Sequence, residues 1–370
     1  MYSPIWGSIA RSVRLQLPNL IESALEVRMK LISLVMVGFG SVGRAFARLI
    51  ERKEVDLERQ GLQLIVTGIA TGRHGSAIDP AGISLRRALE LVERGERLDS
   101  LSAQAAPVEV AEFIYACPGQ VLLENTPVNH HTGEPATTHL RIGLQKGMHA
   151  ITANKGPVVH AYAELMALAA RHGKRFMFES AVMDGAPIFS LFRGPLPLVD
   201  LRGFSGILNS CTNLLLERME AGETLEQATR YAQSIGITET DPSADIDGWD
   251  AAIKVAALCT VLMGIPHRPQ DVAREGIRGV TPDMMAEARA AGERWKLVCS
   301  AQLNHSVLTT SVKPQRVSPT SPLFAVGGTS SFVQFETDVL PGLGILESNP
   351  GPETTAYGLL ADLLNALRGQ

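Results

Sequence analysis

A glycine-rich turn between a strand-like run and a helix-like run constrains this chain more than any other feature. Residues 30–37 read KLISLVMV, a short β-rich apolar run, and residues 44–53 read RAFARLIERK, which has a helical apolar pattern. The residues between them are Gly38, Phe39, Gly40, Ser41, Val42 and Gly43. A G-x-G-x-x-G motif in this context indicates a dinucleotide-binding fold. The alternative is a glycine-rich turn in another kind of α/β protein.

The three glycines of this turn are expected to have different tasks. Gly38 would make the tight turn, Gly40 would let backbone N–H groups approach a pyrophosphate, and Gly43 would allow close packing of helix on strand. The helix N-terminus adds partial positive charge near the phosphates. We therefore predict an α/β chain with a Rossmann-type dinucleotide-binding domain, in which all six residues of the turn contact the cofactor.

The end of the second predicted strand bears on which cofactor is bound. Residues 62–70 read LQLIVTGIA, and the loop after them, residues 71–75, reads TGRHG. An NAD site usually carries a carboxylate here for the ribose, and this loop has none. It has Arg73, whose guanidinium can hold a 2′-phosphate with two hydrogen bonds. The pattern favours NADP over NAD; a solvated loop arginine is the alternative.

Two more predicted strands end in polar loops. Residues 120–124 lead to Thr126, and residues 149–153 lead to Lys155 in the unit N-K-G-P. Open α/β sheets bind their ligands at the carboxyl edge of the strands, so both residues are candidates for the site. The alternative for Lys155 is simple exposure to solvent. Residues 80–112 are predicted to form a charged, mostly helical insertion.

An acidic stretch, residues 236–254, leads into an apolar helix. It reads GITETDPSADIDGWDAAIK and ends on Lys254. Asp250 and Lys254 are four residues apart, which places them on one face of a helix. They either pair on the surface or line a pocket, and the apolar helix that follows favours the pocket.

Composition narrows the class of protein. The net charge of −4 argues against a nucleic-acid partner, and no apolar run reaches the ~18 residues of a membrane span. Four cysteines without a C-x-x-C pair fit a reducing cytoplasm. A small-molecule substrate is therefore expected.

The chain is predicted to divide into four parts. Residues 1–28 are expected to be an N-terminal extension, either disordered or a misassigned start, with an amphipathic helix as the alternative. Residues 29–157 would form the dinucleotide-binding domain. Residues 158–349 would form an α+β substrate-binding and dimerisation domain, with short strands and loops over 281–346. Residues 350–370 would carry a C-terminal helix, predicted over 353–367.

Seven motifs occur in one order: GFGSVG, ENTPVN, TANKGP, FESAVMDGAPI, GILNSCTN, the acidic stretch and GPETTA. Together they resemble the homoserine dehydrogenase family, in a short form without an aspartate kinase or a C-terminal ACT regulatory domain. The resemblance covers the chain from Met29 onward. It implies a homodimer whose C-terminal helix returns to the Rossmann domain. It also implies interconversion of L-homoserine and L-aspartate 4-semialdehyde with NAD(P)(H), in threonine and methionine biosynthesis.

The resemblance also implies roles for single residues. Lys254 matches the lysine that moves the proton of the substrate hydroxyl, Asp250 matches its partner, and Lys155 matches a lysine beside the nicotinamide and the substrate. Further matches are Glu239 and Asp245 for the substrate ammonium, Thr126, Gly236, Gly351 and Thr355 for the cofactor, and Glu179, Val182, Asp184 and Ala186 for a monovalent cation such as Na⁺ or K⁺, mostly through backbone carbonyls.

Two departures from the family pattern leave a related dehydrogenase, acting on a different hydroxy or amino acid, as the alternative. Asp184 and Ser210 stand where the family has glycine. Their side chains lie near the expected site and would disturb turns that need positive φ.

Two other functions are less favoured. Aspartate-semialdehyde dehydrogenase needs a nucleophilic cysteine, for which Cys117 and Cys211 are the candidates without a matching motif. A non-catalytic NADP-binding regulator would have no need of Lys155, Asp250 and Lys254.

The predicted chemistry is proton transfer by a lysine. Burial and a second lysine lower a lysine pKa, whereas Asp250 raises it, so we expect the protonation of Lys155, Asp250 and Lys254 to be coupled.

Overall fold

The first half of the chain forms a six-stranded sheet in a computed structural model that describes residues 29–238 and 241–368. The strand order is β3-β2-β1-β4-β5-β6. All neighbours are parallel except β3, which pairs antiparallel with β2. The strands are β1 (Lys30–Val37), β2 (Leu62–Ala70), β3 (Ser76–Ile78), β4 (Val121–Glu124), β5 (His149–Thr152) and β6 (Phe176–Met177). The chain reverses direction across the sheet between β1 and β4, which is where such sheets bind ligands.

Seven helices accompany this sheet. They are α1 (Ser41–Arg52), α2 (Glu54–Arg59), α3 (Leu85–Glu93), α4 (Val110–Ala116), α5 (Ala136–Gln145), α6 (Lys155–His160) and α7 (Tyr162–Arg171). The insertion predicted as mostly helical over 80–112 holds only α3, a 3₁₀ turn at Leu98–Leu101 and the start of α4. The sheet also runs past the boundary predicted at residue 157, because α7 is the crossover that returns the chain to β6.

A second six-stranded sheet has the order β12-β11-β7-β9-β10-β8. All its pairs are antiparallel except β10 with β8. Its strands are β7 (Leu201–Ile207), β8 (Ala273–Arg274), β9 (Arg294–Asn304), β10 (Val307–Val317), β11 (Ser331–Thr337) and β12 (Pro341–Glu347). Its helices are α8 (Ile188–Arg193), α9 (Ser210–Glu220), α10 (Leu225–Ser234), α11 (Ser243–Ile246), α12 (Trp249–Leu262) and α13 (Pro282–Ala290). The prediction of only short strands and loops over 281–346 is wrong: this region holds α13 and two eleven-residue strands.

The last helix, α14 (Pro352–Leu367), packs back onto the first sheet. Its Ala356, Leu359 and Leu363 are fully buried in one hydrophobic cluster with Phe46 of α1 and Ile32 of β1. The α/β class with a Rossmann-type first domain is therefore confirmed. Among the described residues, no helix is long and apolar enough to cross a membrane.

Candidate active site

Asp250 lies between two lysine ammonium groups that come from different halves of the chain. Its Oδ1 is 3.0 Å from Nζ of Lys155, and its Oδ2 is 3.1 Å from Nζ of Lys254. Lys254 is one turn further along α12, as the spacing predicts. Lys155 is the first residue of α6, which Asn154 caps by accepting a 2.9 Å hydrogen bond from the N–H of Gly156. The three side chains are only 14–19 % exposed, so they are not a solvated surface pair, and the two lysines line a cleft.

The remaining hydrogen bonds fix this triplet in place. Nζ of Lys254 donates to the carbonyl oxygen of Leu208 at 2.7 Å. The side-chain nitrogen of Asn209 donates to Oδ2 of Asp250 at 2.9 Å and to Oδ1 of Asp245 at 2.7 Å. Thr238 donates to the other oxygen of Asp245 at 3.1 Å. Asn209 therefore holds two carboxylates at a fixed separation, a role that the sequence did not reveal.

Charge and burial compete at each of these groups. Burial alone would raise the pKa of Asp250, but the charges of Lys155 and Lys254 outweigh it and hold that pKa below its ordinary value. Burial alone would lower the pKa of Lys254, but Asp250 outweighs it and the pKa is raised. Burial and the charge of Asp250 raise the pKa of Asp245. Lys254 is therefore protonated at neutral pH and can act as an acid. Its pKa is raised by Asp250 and is not lowered as a second lysine alone would predict.

The glycine-rich turn is shaped to receive a phosphate. Gly38 has φ +95°, and a Cβ there would lie 2.5 Å from the carbonyl oxygen of Asn125. A Cβ on Gly43 would lie 2.7 Å from the carbonyl oxygen of Gly38, whereas a Cβ on Gly40 would meet nothing within 4 Å. Helix α1 has no side-chain cap and no acidic residue in its first turn. Its first N–H groups and the open space at Gly40 therefore fit a pyrophosphate.

One cleft of about 260 Å³ reaches from Val42 of this turn to Lys155 and Lys254. Among the predicted residues it is lined by Val42, Thr126, Lys155, Asp184, Lys254 and Thr355. Ser41 is exposed at the start of α1. Phe39 is 3 % exposed and packs in the core, so only its backbone can face a ligand. Gly351 precedes α14, and its carbonyl oxygen accepts a 3.0 Å hydrogen bond from the Thr355 hydroxyl.

Other predicted residues are not brought into the cleft. Arg73 is exposed in the loop between β2 and β3 and does not line it. Two charged side chains from elsewhere in the chain lie against this loop. A Cβ on Gly75 would be 2.5 Å from Oδ1 of Asp99 and 2.8 Å from Nη2 of Arg97. Gly236 follows α10 with φ +73°. Glu239 and residues 1–28 lie outside the described residues.

The predicted cation residues form the connection from β6 to α8. The Glu179 carboxylate accepts hydrogen bonds from the N–H groups of Phe189 and Ser190 at 2.6 and 2.8 Å, so it holds the start of α8. Val182 and Ala186 are buried. Asp184 has φ +46°, so the glycine-like backbone is kept despite the side chain. Residues 29–238 and 241–368 contain no group of three or more His, Cys, Asp or Glu that could hold a metal ion.

Asn125 and Glu124 are among the polar residues at the cleft that the sequence did not single out. Asn125 lines it, and both polar atoms of its side chain are buried without a hydrogen-bond partner. Glu124 is fully buried and accepts a 3.0 Å hydrogen bond from the Thr126 N–H and another from the Thr152 hydroxyl. The only available signal was their position at a strand end.

Burial bears on the two candidate nucleophilic cysteines, and backbone geometry bears on Ser210. Burial raises the pKa of the Cys117 thiol to about 12 and raises that of Cys211 as well, so neither is poised as a nucleophile. Ser210 begins α9 without a positive φ, so its backbone does not need glycine.

Two family models match adjoining parts of the chain. One, described as "Homoserine dehydrogenase, NAD binding domain", matches residues 38–179, and the other, "Homoserine dehydrogenase", matches residues 187–364. A homoserine dehydrogenase from Methanocaldococcus jannaschii is 34 % identical over 90 % of this chain and 97 % of its own length. An NAD(+)-dependent homoserine dehydrogenase from Pseudomonas canavaninivorans is 32 % identical over 90 % of this chain and 95 % of its own.

Solved structures of homoserine dehydrogenases are also similar to this chain. A putative homoserine dehydrogenase from Archaeoglobus fulgidus has a TM-score of 0.79 at 30 % identity and covers 90 % of this chain and 98 % of its own. A hyperthermophilic archaeal homoserine dehydrogenase in complex with NADPH has a TM-score of 0.77 at 30 % identity, over 91 % of this chain and 98 % of its own.

Proposed function

The chain belongs to the homoserine dehydrogenase family, and on that premise we propose that its cleft interconverts L-homoserine and L-aspartate 4-semialdehyde by lysine-assisted proton transfer. The observation that carries the proposal is the Asp250 carboxylate between Lys155 and Lys254, the two lysines that line the cleft beside the glycine-rich turn. A dehydrogenase of another hydroxy or amino acid is not favoured, because relatives that match 90 % of the chain share one name.

Lys254 is the group that we propose moves the proton. An ammonium has three N–H donors, and two of them are engaged by Asp250 and by the carbonyl of Leu208. The third is free to reach a substrate oxygen in the cleft. In the reductive direction, the protonated Lys254 donates to the oxygen that becomes the hydroxyl. In the oxidative direction, the same nitrogen must first be neutral to accept the proton.

Lys155 and Asp250 support this transfer. Lys155 lines the cleft on the side of the glycine-rich turn, where its positive charge stabilises the oxyanion that develops during hydride transfer. Asp250 keeps both ammonium groups in place despite their mutual repulsion. A bound nicotinamide supplies or accepts the hydride.

The substrate ammonium is assigned to Asp245, together with Glu239. Asp245 is half-buried and accepts hydrogen bonds from Asn209 and Thr238, so its oxygens are fixed. Because burial raises its pKa, a cationic group is the partner that would best stabilise its charged form.

NADP is the proposed preferred cofactor, with Arg73 holding the 2′-phosphate. The relatives include one named NAD(+)-dependent and one solved with NADPH, so the proposal is argued from the loop after β2. Arg73 follows β2, whose last residue, Ala70, accepts a 2.9 Å hydrogen bond from the Gly38 N–H. This places the loop beside the glycine-rich turn. Arg73→Ala should weaken NADP⁺ binding and leave NAD⁺ binding unchanged.

Three further assignments follow from family membership alone. We propose a monovalent cation at the carbonyls of Glu179, Val182, Asp184 and Ala186, a homodimer, and a cytoplasmic location. Melting curves in Na⁺, K⁺ or choline salts test the ion. Light scattering tests the dimer, and cell fractionation tests the location.

The experiment that tests the function follows the near-ultraviolet absorbance of NADPH. Purified protein is given L-homoserine with NADP⁺ or NAD⁺, and separately L-aspartate 4-semialdehyde with NADPH. Turnover of homoserine but not of L-serine or L-malate supports the proposal. Binding of NADPH without turnover of homoserine would contradict it.

A further inference from the structure

The helix that carries Asp250 starts without a local cap. Helix α12 begins at Trp249, and its N-cap residue, Gly248, has φ +79° and provides no side-chain hydrogen bond. Asp250 is the second residue of the helix. The Asp250 carboxylate is held by Lys254 of the same helix and by Lys155 and Asn209 from other elements, so its position depends in part on tertiary contacts.

One set of contacts comes from the half of the chain that forms the second sheet. The Arg274 guanidinium carbon lies 3.8 Å from the centre of the Trp249 ring, and Arg274 also donates to the carbonyl oxygen of Asp247. Arg278 pairs with the carboxylate of Asp247 through two nitrogens. These contacts hold the residues on either side of Gly248.

The opposite contact comes from the nucleotide-binding half. The His131 ring meets Trp249 edge-on, with centroids 5.6 Å apart and planes at 63°. His131 is held in an Asx turn, since Oδ1 of Asn129 accepts hydrogen bonds from His131 N and Thr132 N at 3.0 and 3.1 Å. A ring nitrogen of His160, on α6, lies 3.0 Å from the carbonyl oxygen of His130. The loop that carries His131 is thereby tied to the helix that carries Lys155.

Trp249 thus joins two halves of the molecule one residue away from Asp250. The Asp250–Lys155 ion pair spans the same two halves at 3.0 Å. Trp249 is only half-buried and belongs to none of the hydrophobic clusters that the described residues form. Its ring is therefore better placed to align these halves than to stabilise the core.

We propose that Trp249 and His131 are positioning residues, which set the distance between Asp250 and Lys155 across the two halves of the chain. The inference rests on the proposed function. Neither side chain lines the cleft. Their effect is transmitted through the first turn of α12, and small displacements of a catalytic group are costly.

The test compares matched variants of the full-length enzyme. Trp249→Leu should lower kcat for homoserine oxidation by about tenfold or more, because Asp250 is displaced. The NADPH dissociation constant, read from NADPH fluorescence, should stay within about twofold, and the melting temperature should hardly change. Trp249→Phe keeps an aromatic face and should recover most of kcat. His131→Ala should act in the same direction, and His131→Phe should restore the edge contact.

A double-mutant cycle completes the test. If the two rings act through each other, Trp249→Leu with His131→Ala should lose little more than Trp249→Leu alone. Fully additive losses, or a kcat within twofold of wild type in both single variants, would overturn the inference while leaving the proposed function intact. Absence of wild-type turnover would instead reject the proposed function. His131 is an exposed loop residue, so its variants remain informative if Trp249→Leu does not fold.

Discussion

Asp362, on the C-terminal helix, accepts a 2.6 Å hydrogen bond from the backbone N–H of Glu179, 183 positions earlier in the chain. The carboxyl group is completely buried, and its other oxygen has no hydrogen-bond partner. Burial and the nearby Glu179 charge raise its pKa to about 7. This contact fastens α14 to the connection between the two sheets.

Asp362 should make the protein less stable as pH rises. Its ordinary pKa is 3.8, so between that value and about 7 the folded state keeps a proton that the unfolded state has lost. Stability therefore falls over this window, and the loss is complete above it. Asp362→Asn keeps an acceptor for the Glu179 N–H without a charge. We expect it to raise the melting temperature by at least about 2 °C at about pH 8 and to change it much less at about pH 4, close to the ordinary pKa of the carboxyl group.

The control for this prediction is Glu58→Gln, which makes the same chemical change at an exposed position of α2. It should leave the difference between the two melting temperatures as in wild type. An Asp362→Asn variant with an unchanged pH dependence would show that the buried carboxyl does not titrate in this range.

Two glycine variants should separate folding from cofactor binding. Gly38→Ala puts a Cβ 2.5 Å from a backbone oxygen at φ +95°, so it should destabilise the protein by several degrees. Gly40→Ala has an ordinary φ of −76° and open space around the new Cβ, so its melting temperature should not fall. That open space is where the pyrophosphate is expected. We therefore predict that Gly40→Ala raises the NADPH dissociation constant, measured by calorimetry, by about tenfold or more.

The matching control is Gly279→Ala, which also has open space around the new Cβ but lies in a turn of the second half of the chain and does not line the cleft. Equal NADPH affinity in Gly40→Ala and Gly279→Ala would remove the reason for placing the cofactor at the glycine-rich turn.

Removing the two lysines should have different consequences. Lys254→Ala should lower kcat in both directions by about 10²- to 10⁴-fold, because no other ammonium donates at that position, and NADPH binding should be unchanged. Lys155→Ala should lower kcat and also weaken NADPH binding, because Lys155 lines the cleft near the cofactor turn. Steady-state kinetics and NADPH titration distinguish the two patterns.

Lys296→Met is the control for loss of a buried lysine. Lys296 is 1 % exposed, its ammonium donates to Asn213 Oδ1 at 2.8 Å, and it does not line the cleft. This variant should change stability and leave kcat per folded molecule near wild type. If Lys254→Ala retained most of its turnover, the proton-transfer role would belong to another group.

Local sequence patterns predicted the elements that depend on short-range order. The predicted bounds of β1 and β2 agree with the structure at every residue. In β1 the apolar run ends at a glycine-rich turn, and in β2 it ends at a polar loop. Asp250 and Lys254 share a helix face, which their spacing alone predicts. The shared carboxylate with Lys155, the Asn209 bridge and the approach of Asp99 to Gly75 depend on how distant segments pack. No local pattern encodes them.

The misread β9–β10 region has a specific cause. These strands form a hairpin whose two-residue turn is His305-Ser306, with φ of +47° and +72°. Such turns are recognised in sequence by Asn-Gly or Asp-Gly, and His-Ser gives no such signal. Without it, the two long strands could not be told from shorter ones.

The raised pKa of Lys254 predicts different pH profiles for the two reaction directions. Because Asp250 holds the pKa of Lys254 above its ordinary value of 10.5, only a small fraction is neutral near pH 7. Oxidation of homoserine needs that neutral fraction, so kcat/KM should rise about tenfold per pH unit between about pH 6.5 and 8.5. Reduction of the semialdehyde uses the protonated form and should be nearly flat over the same range. Asp250→Asn removes the stabilising charge, so the profile for oxidation should level off at lower pH in this variant. A plateau below about pH 8 in the wild-type oxidation profile would mean that Lys254 is not the titrating base.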